Sequence, residues 1–532
     1  MESPLCRPAN GRLHRVLMIG VSALLLLFFV FIAAVSLTQT SVFRTEELWN
    51  EVILYRRDSI LLNLGAILLT VLAATLGRKY VHVSDTPLWL LAVLIGFYTL
   101  TVSTVWVLLV RSVPAADSGR LYETACQVIE GDFTAFHESA GDFYDGRSYF
   151  TLYPFQLGYL FLSEIIYRIF GHATALPMEL FNAVCIAAAY VGLLFCTERL
   201  FRRRSVTVLL AILLTVTLQP MLFTTFAYGN LPGFAAAVWA AWFLIGYLQR
   251  DRRRDVWRLL PTAALLALAV LAKYNTLIWV VATGIVLIAD ALCRRRRWLS
   301  LVCLIPVVAI PLLAQHVVTA LYEYRAGVSL GAGVGQWQYL QGGIEDSWMA
   351  PGWYNDISKG IFLEAGADRE AADALSKESI AARLDEFAAD PGMAVTFFAC
   401  KALSQWNEPT YECIWVSQVK EHIGGWIPDA VASVYNGVTG EVLNFLFDRW
   451  QSVILWLLIA ALVRLFTADG TEQLLFPTVL AGGVLYHMLF EAKSQYCLTY
   501  AVLMLPLAAY GLDAIARFAE RLLSHLRRPK KA

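Results

Sequence analysis

Roughly a dozen long apolar runs, separated by short polar links, restrict this chain to folds that span a membrane. The runs lie near residues 16–37, 59–76, 86–110, 151–170, 177–197, 205–226, 231–248, 257–271, 274–292, 299–320, 451–466, 474–490 and 496–514. Each is about 16–25 residues long, which is enough for a helix to cross a bilayer. Only 16% of the residues are charged, against about 25% in soluble domains. This composition excludes a soluble enzyme, a disordered chain and a nucleic-acid binder. We therefore predict an all-α polytopic membrane protein with about 11–13 transmembrane helices.

The few charged residues are segregated along the chain. Basic residues cluster at Arg202–Arg204, Arg252–Arg254, Arg294–Arg297 and Arg527–Lys531. Acidic residues concentrate in two stretches, 117–145 and 345–390. The positive-inside rule places the arginine clusters in the cytoplasm and the acidic, aromatic loops outside. The sequence therefore predicts a multi-pass protein of the cell membrane, in a bacterium, with its functional site facing outward.

Two neighbouring runs, 151–170 and 177–197, cannot both cross the membrane if 111–150 is outside and 199–204 is inside. One of them must be re-entrant or broken. Pro154 or Pro177 could mark the break, and the sequence does not choose between them.

The outer segment after the third run begins with Asp117. Leu121, Ala125 and Val128 follow at helical spacing, and Gly131 ends the pattern, which predicts an amphipathic helix on the membrane surface. Asp117 suits the N-cap of that helix, and it also suits a general base in an outward site. Further along this segment, Tyr153 and Gln156 flank Pro154 at the entry to the next run. They indicate either an aromatic belt or the lining of a cavity.

These residues together resemble the GT-C glycosyltransferases. The resemblance rests on an aspartate after a span, the pattern D-x-x-x-x-Y-x-x-A from Asp117, a G-D-F triplet and Y-P-x-Q entering the next span. It is clearest over 86–290, and it is strongest to bacterial enzymes related to protein mannosyltransferases and aminoarabinose transferases. It implies an inverting integral-membrane enzyme that uses a polyprenyl-phosphate-linked sugar, with Asp117 as the catalytic residue.

The chain departs from that family in two respects. The catalytic loop follows the third run instead of the first, so residues 16–76 resemble an added hairpin. Many relatives also carry a second acid beside the aspartate, where this chain has Ser118. Glu123 lies on another helical face and is a poor substitute.

Three further polar residues interrupt apolar runs at their outer ends: Asn230, Lys273 and Lys493. The two lysines are predicted to bind the donor phosphate as point charges. The alternative is that each lysine extends to the interface. Asn230 is predicted to bind a sugar hydroxyl, and the alternative is a structural turn.

The segment 321–450 carries aromatic residues next to acids, which is typical of sugar sites, because ring faces stack on C–H faces while carboxylates accept hydroxyl protons. Trp353, Trp406 and Glu408 are therefore predicted to bind substrate, together with Tyr153 and Gln156. Lys401, Trp406 and Pro409 also match a K-x-x-x-x-W-x-x-P element of similar enzymes. The alternative is a solvated cap whose tryptophans anchor it to the bilayer.

The pattern divides the chain into four parts: an N-terminal membrane hairpin (1–85), a GT-C-like transmembrane catalytic module with outer loop 111–150 (86–320), an extracytoplasmic region (321–450), and C-terminal helices with a basic tail (451–532). No ligand cluster indicates a metal and no cofactor is expected, although some GT-C relatives use a divalent metal and that alternative stays open. The partners expected are the polyprenyl-phosphate sugar donor, membrane lipid and a glycan, lipid or protein acceptor. Two alternatives remain: a flippase or transporter of lipid-linked saccharides, and a non-catalytic membrane assembly protein.

Overall fold

The chain is a bundle of long helices with one short β-hairpin. A computed structural model describes residues 11–80, 86–137, 146–249, 253–293 and 298–526. The clusters Arg294–Arg297 and Arg527–Lys531 and the stretch 141–145 lie outside the described residues, as does Arg252.

The first part of the bundle alternates long helices with short, broken ones. In chain order its elements are α1 (Gly11–Ser36), β1 (Gln39–Phe43), β2 (Ile53–Arg57), α2 (Ile60–Tyr80), α3 (Leu88–Val110), α4 (Ala116–Glu130), α5 (Tyr149–Leu152), α6 (Leu157–Phe170), α7 (Leu176–Phe201), α8 (Arg204–Val216), α9 (Gln219–Leu222), α10 (Asn230–Leu248), α11 (Leu259–Ala272), α12 (Leu277–Cys293) and α13 (Trp298–Ala326). Strands β1 and β2 pair antiparallel, with Gln39 opposite Arg57 and Phe43 opposite Ile53.

Six helices then form a cap: α14 (Gln336–Ile344), α15 (Ile357–Glu364), α16 (Arg369–Ala389), α17 (Pro391–Trp406), α18 (Trp415–Gln418) and α19 (Asp429–Asn436). The last three helices follow the cap and are α20 (Val438–Leu465), α21 (Leu475–Leu489) and α22 (Ser494–Leu526). Helices α20 and α22 pack along each other, and α1 packs on α20. The N-terminal hairpin is therefore joined to the C-terminal helices in space.

Ten helices within the described ranges are long and apolar enough to cross a membrane, or eleven if the bent pair α8 and α9 forms one span. The all-α polytopic fold is thus confirmed. The count of ten lies just below the expected 11–13, and eleven meets its lower limit. Helix α11 has 14 residues but is counted as a span together with the turn before it, from Asp255. Two other apolar runs give helices outside the count. Helix α6 has 14 residues and α21 has 15, so each falls short of the length that a full crossing needs.

The conflict between runs 151–170 and 177–197 is resolved in favour of a break at Pro154. The backbone there passes from α5 through a single 3₁₀ turn, Pro154–Gln156, into the short α6. Pro177 lies instead in the first turn of α7, where its missing N–H costs nothing. Helix α7 has 26 residues and is the crossing helix of the two.

Arginines gather at one end of the bundle. Asp513 of α22 pairs with Arg78 of α2 at 2.5 Å, with Arg203 at 3.7 Å, and also with Arg517. Asp513 lies about 28 Å along α22 from Ser494 at the rise of an α-helix. The start of α22 and this arginine cluster are therefore separated by about the thickness of a bilayer core.

The β-hairpin is fixed to the cap. The backbone N–H of Ser41 donates to the carbonyl of Asn407 (3.1 Å), and its hydroxyl donates to that of Leu403 (2.9 Å). Tyr55 donates from its hydroxyl to the carbonyl of Cys400 (2.9 Å). All three acceptors lie on α17 or directly after it, so the hairpin and α17 form one unit at the end of the bundle opposite the arginines.

Candidate active site

A cavity of about 990 Å³ lies where the helix ends, the cap and the hairpin meet. Five of the residues singled out from the sequence line it: Asp117, Tyr153, Gln156, Lys273 and Lys493. They come from the start of α4, the break before α6, the break between α11 and α12 and the link before α22. Residues separated by hundreds of positions in the chain thus face one space.

A close backbone approach positions Lys273. A Cβ on Gly229 would lie 1.6 Å from the carbonyl oxygen of Ala272, so only glycine allows the turn before α10 to touch the break after α11. This contact brings the Tyr228 ring to 4.2 Å from Nζ of Lys273. The amide of Gln156 donates to the Tyr228 hydroxyl, which ties the break before α6 to the same group.

Asp117 does not cap helix α4, contrary to one reading of the sequence. The helix begins at Ala116, its N-cap is Ala115, and no side chain caps it. Asp117 stands in the first turn with its side chain exposed to the cavity. Ala116 has a left-handed φ of 51°, a strained conformation for a residue with a side chain. Such strain is frequent next to functional groups.

The cavity environment alters the proton affinity of Asp117. Surrounding protein replaces part of its hydration and raises the pKa of Asp117 above its usual range. Lys273, the Tyr149 hydroxyl and Lys493 act in the opposite direction. The carboxylate is therefore more basic than an exposed aspartate, as a general base at neutral pH should be.

Lys273 is held by aromatic rings. Its Nζ lies 4.2 Å from the Tyr228 ring centroid and 5.4 Å from that of Tyr496, which is cation–π distance. Burial lowers the pKa of Lys273 to about 8, and Asp117 partly opposes this change. No ion pair within 4 Å is found for Lys273 among the described residues, so its charge is available to an anion in the cavity.

Lys493 has a carboxylate partner already. Its Nζ pairs with Glu51, whose side chain comes from the link between β1 and β2. Burial acts to lower the pKa of Lys493, but Glu51 and Glu412 together raise it. A phosphate at Lys493 would have to compete with Glu51, which makes this lysine a weaker candidate for that role than Lys273.

Asn230 does not reach the cavity surface. It is the first residue of α10, is only 6% exposed, and is absent from the cavity lining. Its position follows from the close packing of the turn at Gly229 against Ala272. The structure therefore fits the alternative interpretation, a structural turn, and gives Asn230 no direct contact with substrate.

Trp353, Trp406 and Glu408 are also buried away from the cavity lining. Trp353 donates from its indole N–H to the Ser404 hydroxyl (2.8 Å). The Glu408 carboxylate accepts from Thr410 and from the backbone N–H of Glu412. These contacts stabilise the cap internally, so the proposed stacking of these tryptophans on a sugar does not fit their placement.

Trp406 is expected to contribute stability. It is 0% exposed and packs edge-on against Phe28 and Phe29 of α1 and near Tyr500 of α22. Trp406→Ala should cost about 3–5 kcal/mol by removing a large buried ring, which a thermal melt of the purified protein would detect. Trp426→Ala, at a tryptophan that is 71% exposed, is the matched control. Unchanged melting of the Trp406 variant would contradict this placement.

The cavity wall also includes residues that were not predicted from the sequence as site residues. Trp49 and Glu51 come from the link between β1 and β2, Trp415 from α18 in the cap, Glu491 from the link before α22, and Tyr496 from the first turn of α22. Glu491 accepts a hydrogen bond from Ser358 (3.0 Å), and burial raises its pKa to about 7. The sequence signal for Trp49 and Glu51 was a tryptophan close to an acid within residues 39–58. Nothing in the spacing of the sequence placed this link near Asp117.

No group of three or more His, Cys, Asp or Glu side chains suitable for a metal ion occurs in the part of the chain that the structure describes.

Comparison with known proteins gives a family match over part of the chain. Residues 156–317 match the family model PMT_2, described as dolichyl-phosphate-mannose-protein mannosyltransferase. The match confirms the resemblance to GT-C membrane glycosyltransferases over that segment, which is less than a third of the chain. It includes Gln156, Asn230 and Lys273 but neither Asp117 nor Lys493. No curated protein matches the chain.

Two solved structures show similarity in their helical arrangement. Archaeal oligosaccharyltransferase AglB from Archaeoglobus fulgidus, in complex with an inhibitory peptide and a dolichol-phosphate, matches with 13% identity and a TM-score of 0.42. The alignment covers 86% of this chain and 53% of AglB, so the chain spans about half of that relative. ArnT from Cupriavidus metallidurans, bound to undecaprenyl phosphate, matches with 16% identity and a TM-score of 0.32, over 82% of this chain and 81% of ArnT.

Proposed function

We propose that this protein transfers a sugar from a polyprenyl-phosphate donor to a hydroxyl group of an acceptor, with inversion at the anomeric carbon. The observation that carries the proposal is that Asp117, at the start of α4, and Lys273, at the break between α11 and α12, face one cavity. A base and a cation that share one space are the two groups this displacement needs. The description of the matching family model, which names a dolichyl-phosphate sugar, supports the donor class.

Groups in the cavity can accept the proton and stabilise the leaving group of this reaction. Asp117 takes the proton of the acceptor hydroxyl as its oxygen attacks the anomeric carbon. The bond from that carbon to the phosphate oxygen breaks, and the electron pair leaves with the phosphate. Lys273 stabilises the charge that grows on this leaving group. The phosphate needs no general acid, because it is a stable anion. One in-line step inverts the anomeric centre.

Lys273 is better suited than Lys493 to the phosphate. Rings of Tyr228 and Tyr496 hold Lys273 without neutralising its charge, whereas Glu51 already compensates Lys493. A cavity of about 990 Å³ is at the upper end for a small-molecule site. It therefore has room for a donor sugar phosphate together with part of an acceptor.

The outward orientation of the cavity is part of the proposal. Arg78 and Arg203 meet Asp513 at the end of the bundle opposite the cavity. The positive-inside rule assigns that end to the cytoplasm, which leaves the cavity on the outer face of the membrane. Accessibility of a cysteine introduced at the exposed Trp426 to an impermeant thiol reagent in intact cells tests this assignment. Labelling only after permeabilisation would contradict it.

Purified protein in nanodiscs, supplied with polyprenyl-phosphate-linked sugars and with cell-envelope lipid as the acceptor, tests the activity itself. We expect sugar release from the lipid phosphate, with the anomeric configuration inverted when followed by NMR. A folded protein that neither binds nor consumes any such donor would contradict the proposal. Movement of an intact lipid-linked saccharide across vesicles, without cleavage, would instead favour a flippase.

A further inference from the structure

The link between strands β1 and β2 forms part of the cavity wall. It carries Trp49 and Glu51, which line the cavity. The hairpin itself is fixed on α17 through Ser41 and Tyr55. A rigid insertion that reaches a functional cavity is well placed to bind a substrate group there.

Glu51 has an unsatisfied oxygen. The side chain is 4% exposed, and one carboxylate oxygen pairs with Lys493. The other, Oε1, is buried and has no hydrogen-bond partner, which is costly unless a ligand supplies a donor. Glu51 also has a left-handed backbone, with φ 52° and ψ 31°, a strained conformation for a residue with a Cβ. A residue of the cavity wall thus keeps one carboxylate oxygen without a donor, on a strained backbone.

Trp49 offers an open ring next to that acceptor. It is 69% exposed, although it lines the cavity. The residue before it, Leu48, accepts a hydrogen bond from the indole of Trp415 (2.8 Å), and Trp415 stacks on Phe43 at 6.4 Å. The link that carries Trp49 is therefore held in position, while its ring remains free to contact a ligand.

Lys493 connects Trp49 and Glu51 to the proposed base, Asp117. It pairs with Glu51 and lies close enough to Asp117 to influence its charge. Rings of Tyr354 and Trp415 lie 5.8 and 5.9 Å from its Nζ. A ligand bound at Trp49 and Glu51 therefore lies in the same cavity as the base.

We propose that Trp49 and Glu51 bind a saccharide acceptor, whose C–H face lies on the indole ring and one of whose hydroxyls donates to Oε1 of Glu51. This inference rests on the proposed function and names its acceptor class. An acyl chain could cover the Trp49 ring but would leave the Glu51 oxygen unpaired. A saccharide satisfies both groups and brings a second hydroxyl toward Asp117 for transfer.

Saturation-transfer NMR on the full chain in nanodiscs tests this. The probes are linear tetra- to hexasaccharides of mannose, galactose, glucose and arabinose, together with Ser- and Thr-rich peptides. At least one oligosaccharide should bind the wild-type protein. Trp49→Ala and Glu51→Gln should each weaken its Kd about ten-fold, the loss expected for one good contact. Trp49→Phe should weaken it less, because a ring remains.

Matched controls lie nearby. Glu46→Gln changes an exposed acid on the same hairpin, and Trp426→Ala removes an exposed tryptophan outside the cavity lining; both should leave the Kd unchanged. Binding of peptides in place of oligosaccharides, or unchanged affinity in the Trp49 and Glu51 variants, would overturn the inference. Undecaprenyl phosphate binding by the wild-type protein separates the two proposals. If it binds and no saccharide does, the acceptor inference alone is wrong.

Discussion

Asp117→Asn should lower the rate of sugar transfer by about 10²–10⁴-fold, the usual contribution of a general base. Asparagine keeps the shape of the side chain but cannot take the acceptor proton. Because Asp117 does not cap α4, the substitution should leave the helix and the thermal stability almost unchanged. Most of the loss should therefore appear in kcat, with little change in donor affinity, and rates measured at saturating donor would show it.

Asp132→Asn is the matched control for this variant. Asp132 lies in the same outer segment, is exposed, and caps a local turn through Thr134, but it is absent from the cavity lining. Transfer by this variant should stay within two-fold of wild type. Full transfer activity in Asp117→Asn would show that another group removes the proton. Glu491, whose pKa of about 7 also suits a base, would then be the first residue to examine.

Lys273→Met should reduce transfer by about 10²–10³-fold, as loss of one preorganised electrostatic contact to the transition state does. Methionine fills similar space between Tyr228 and Tyr496 without a charge. Undecaprenyl phosphate should bind more weakly to this variant, which titration of the lipid into the purified protein would measure. Lys493→Met is a contrasting variant, because Glu51 already pairs with that lysine. Its effect on phosphate affinity should be smaller, and a larger effect would reverse our assignment of the two lysines.

The pH dependence of kcat/KM should be bell-shaped and should report these two groups. Asp117 must be deprotonated to act, and its raised pKa moves the acid limb above that of an ordinary carboxyl. Lys273 must be protonated to hold the phosphate, and its pKa near 8 makes activity fall as the pH rises through that value. Lys273→Arg should move the alkaline limb to higher pH, since arginine stays charged. An unmoved alkaline limb would exclude Lys273 as its source.

Local sequence patterns predicted much of the fold because apolar runs and charge clusters act locally. A run long enough to cross a bilayer becomes a helix wherever its neighbours pack. The sequence predicted a break in the chain at either Pro154 or Pro177. The short α6 after Pro154 shows that the break is there, and the length of α6 depends on its packing against α4, α11 and α13. The position of Asp117 at a helix end, and the break at Lys273, were likewise readable from polar residues that interrupt apolar runs.

The cap was less predictable from the sequence. Trp406 and Trp353 are large rings beside acids, and the same local pattern describes a sugar site and a packed core. The sequence cannot separate these because burial depends on partners such as Phe28 and Tyr500, which are hundreds of residues away. In the structure, Trp49 and Glu51 supply to the cavity the aromatic ring and carboxylate that were expected from the cap.

The sequence by itself determined that this chain crosses a membrane many times, that its arginine clusters are expected at one end, and that Asp117 and Lys273 stand at helix ends. These properties follow from hydrophobic length and charge placement. Only the tertiary structure decided which groups share the cavity. It paired Lys493 with Glu51 across more than 400 residues, because folding brings the link between β1 and β2 next to the start of α22. No local sequence pattern encodes a contact over that distance in the chain.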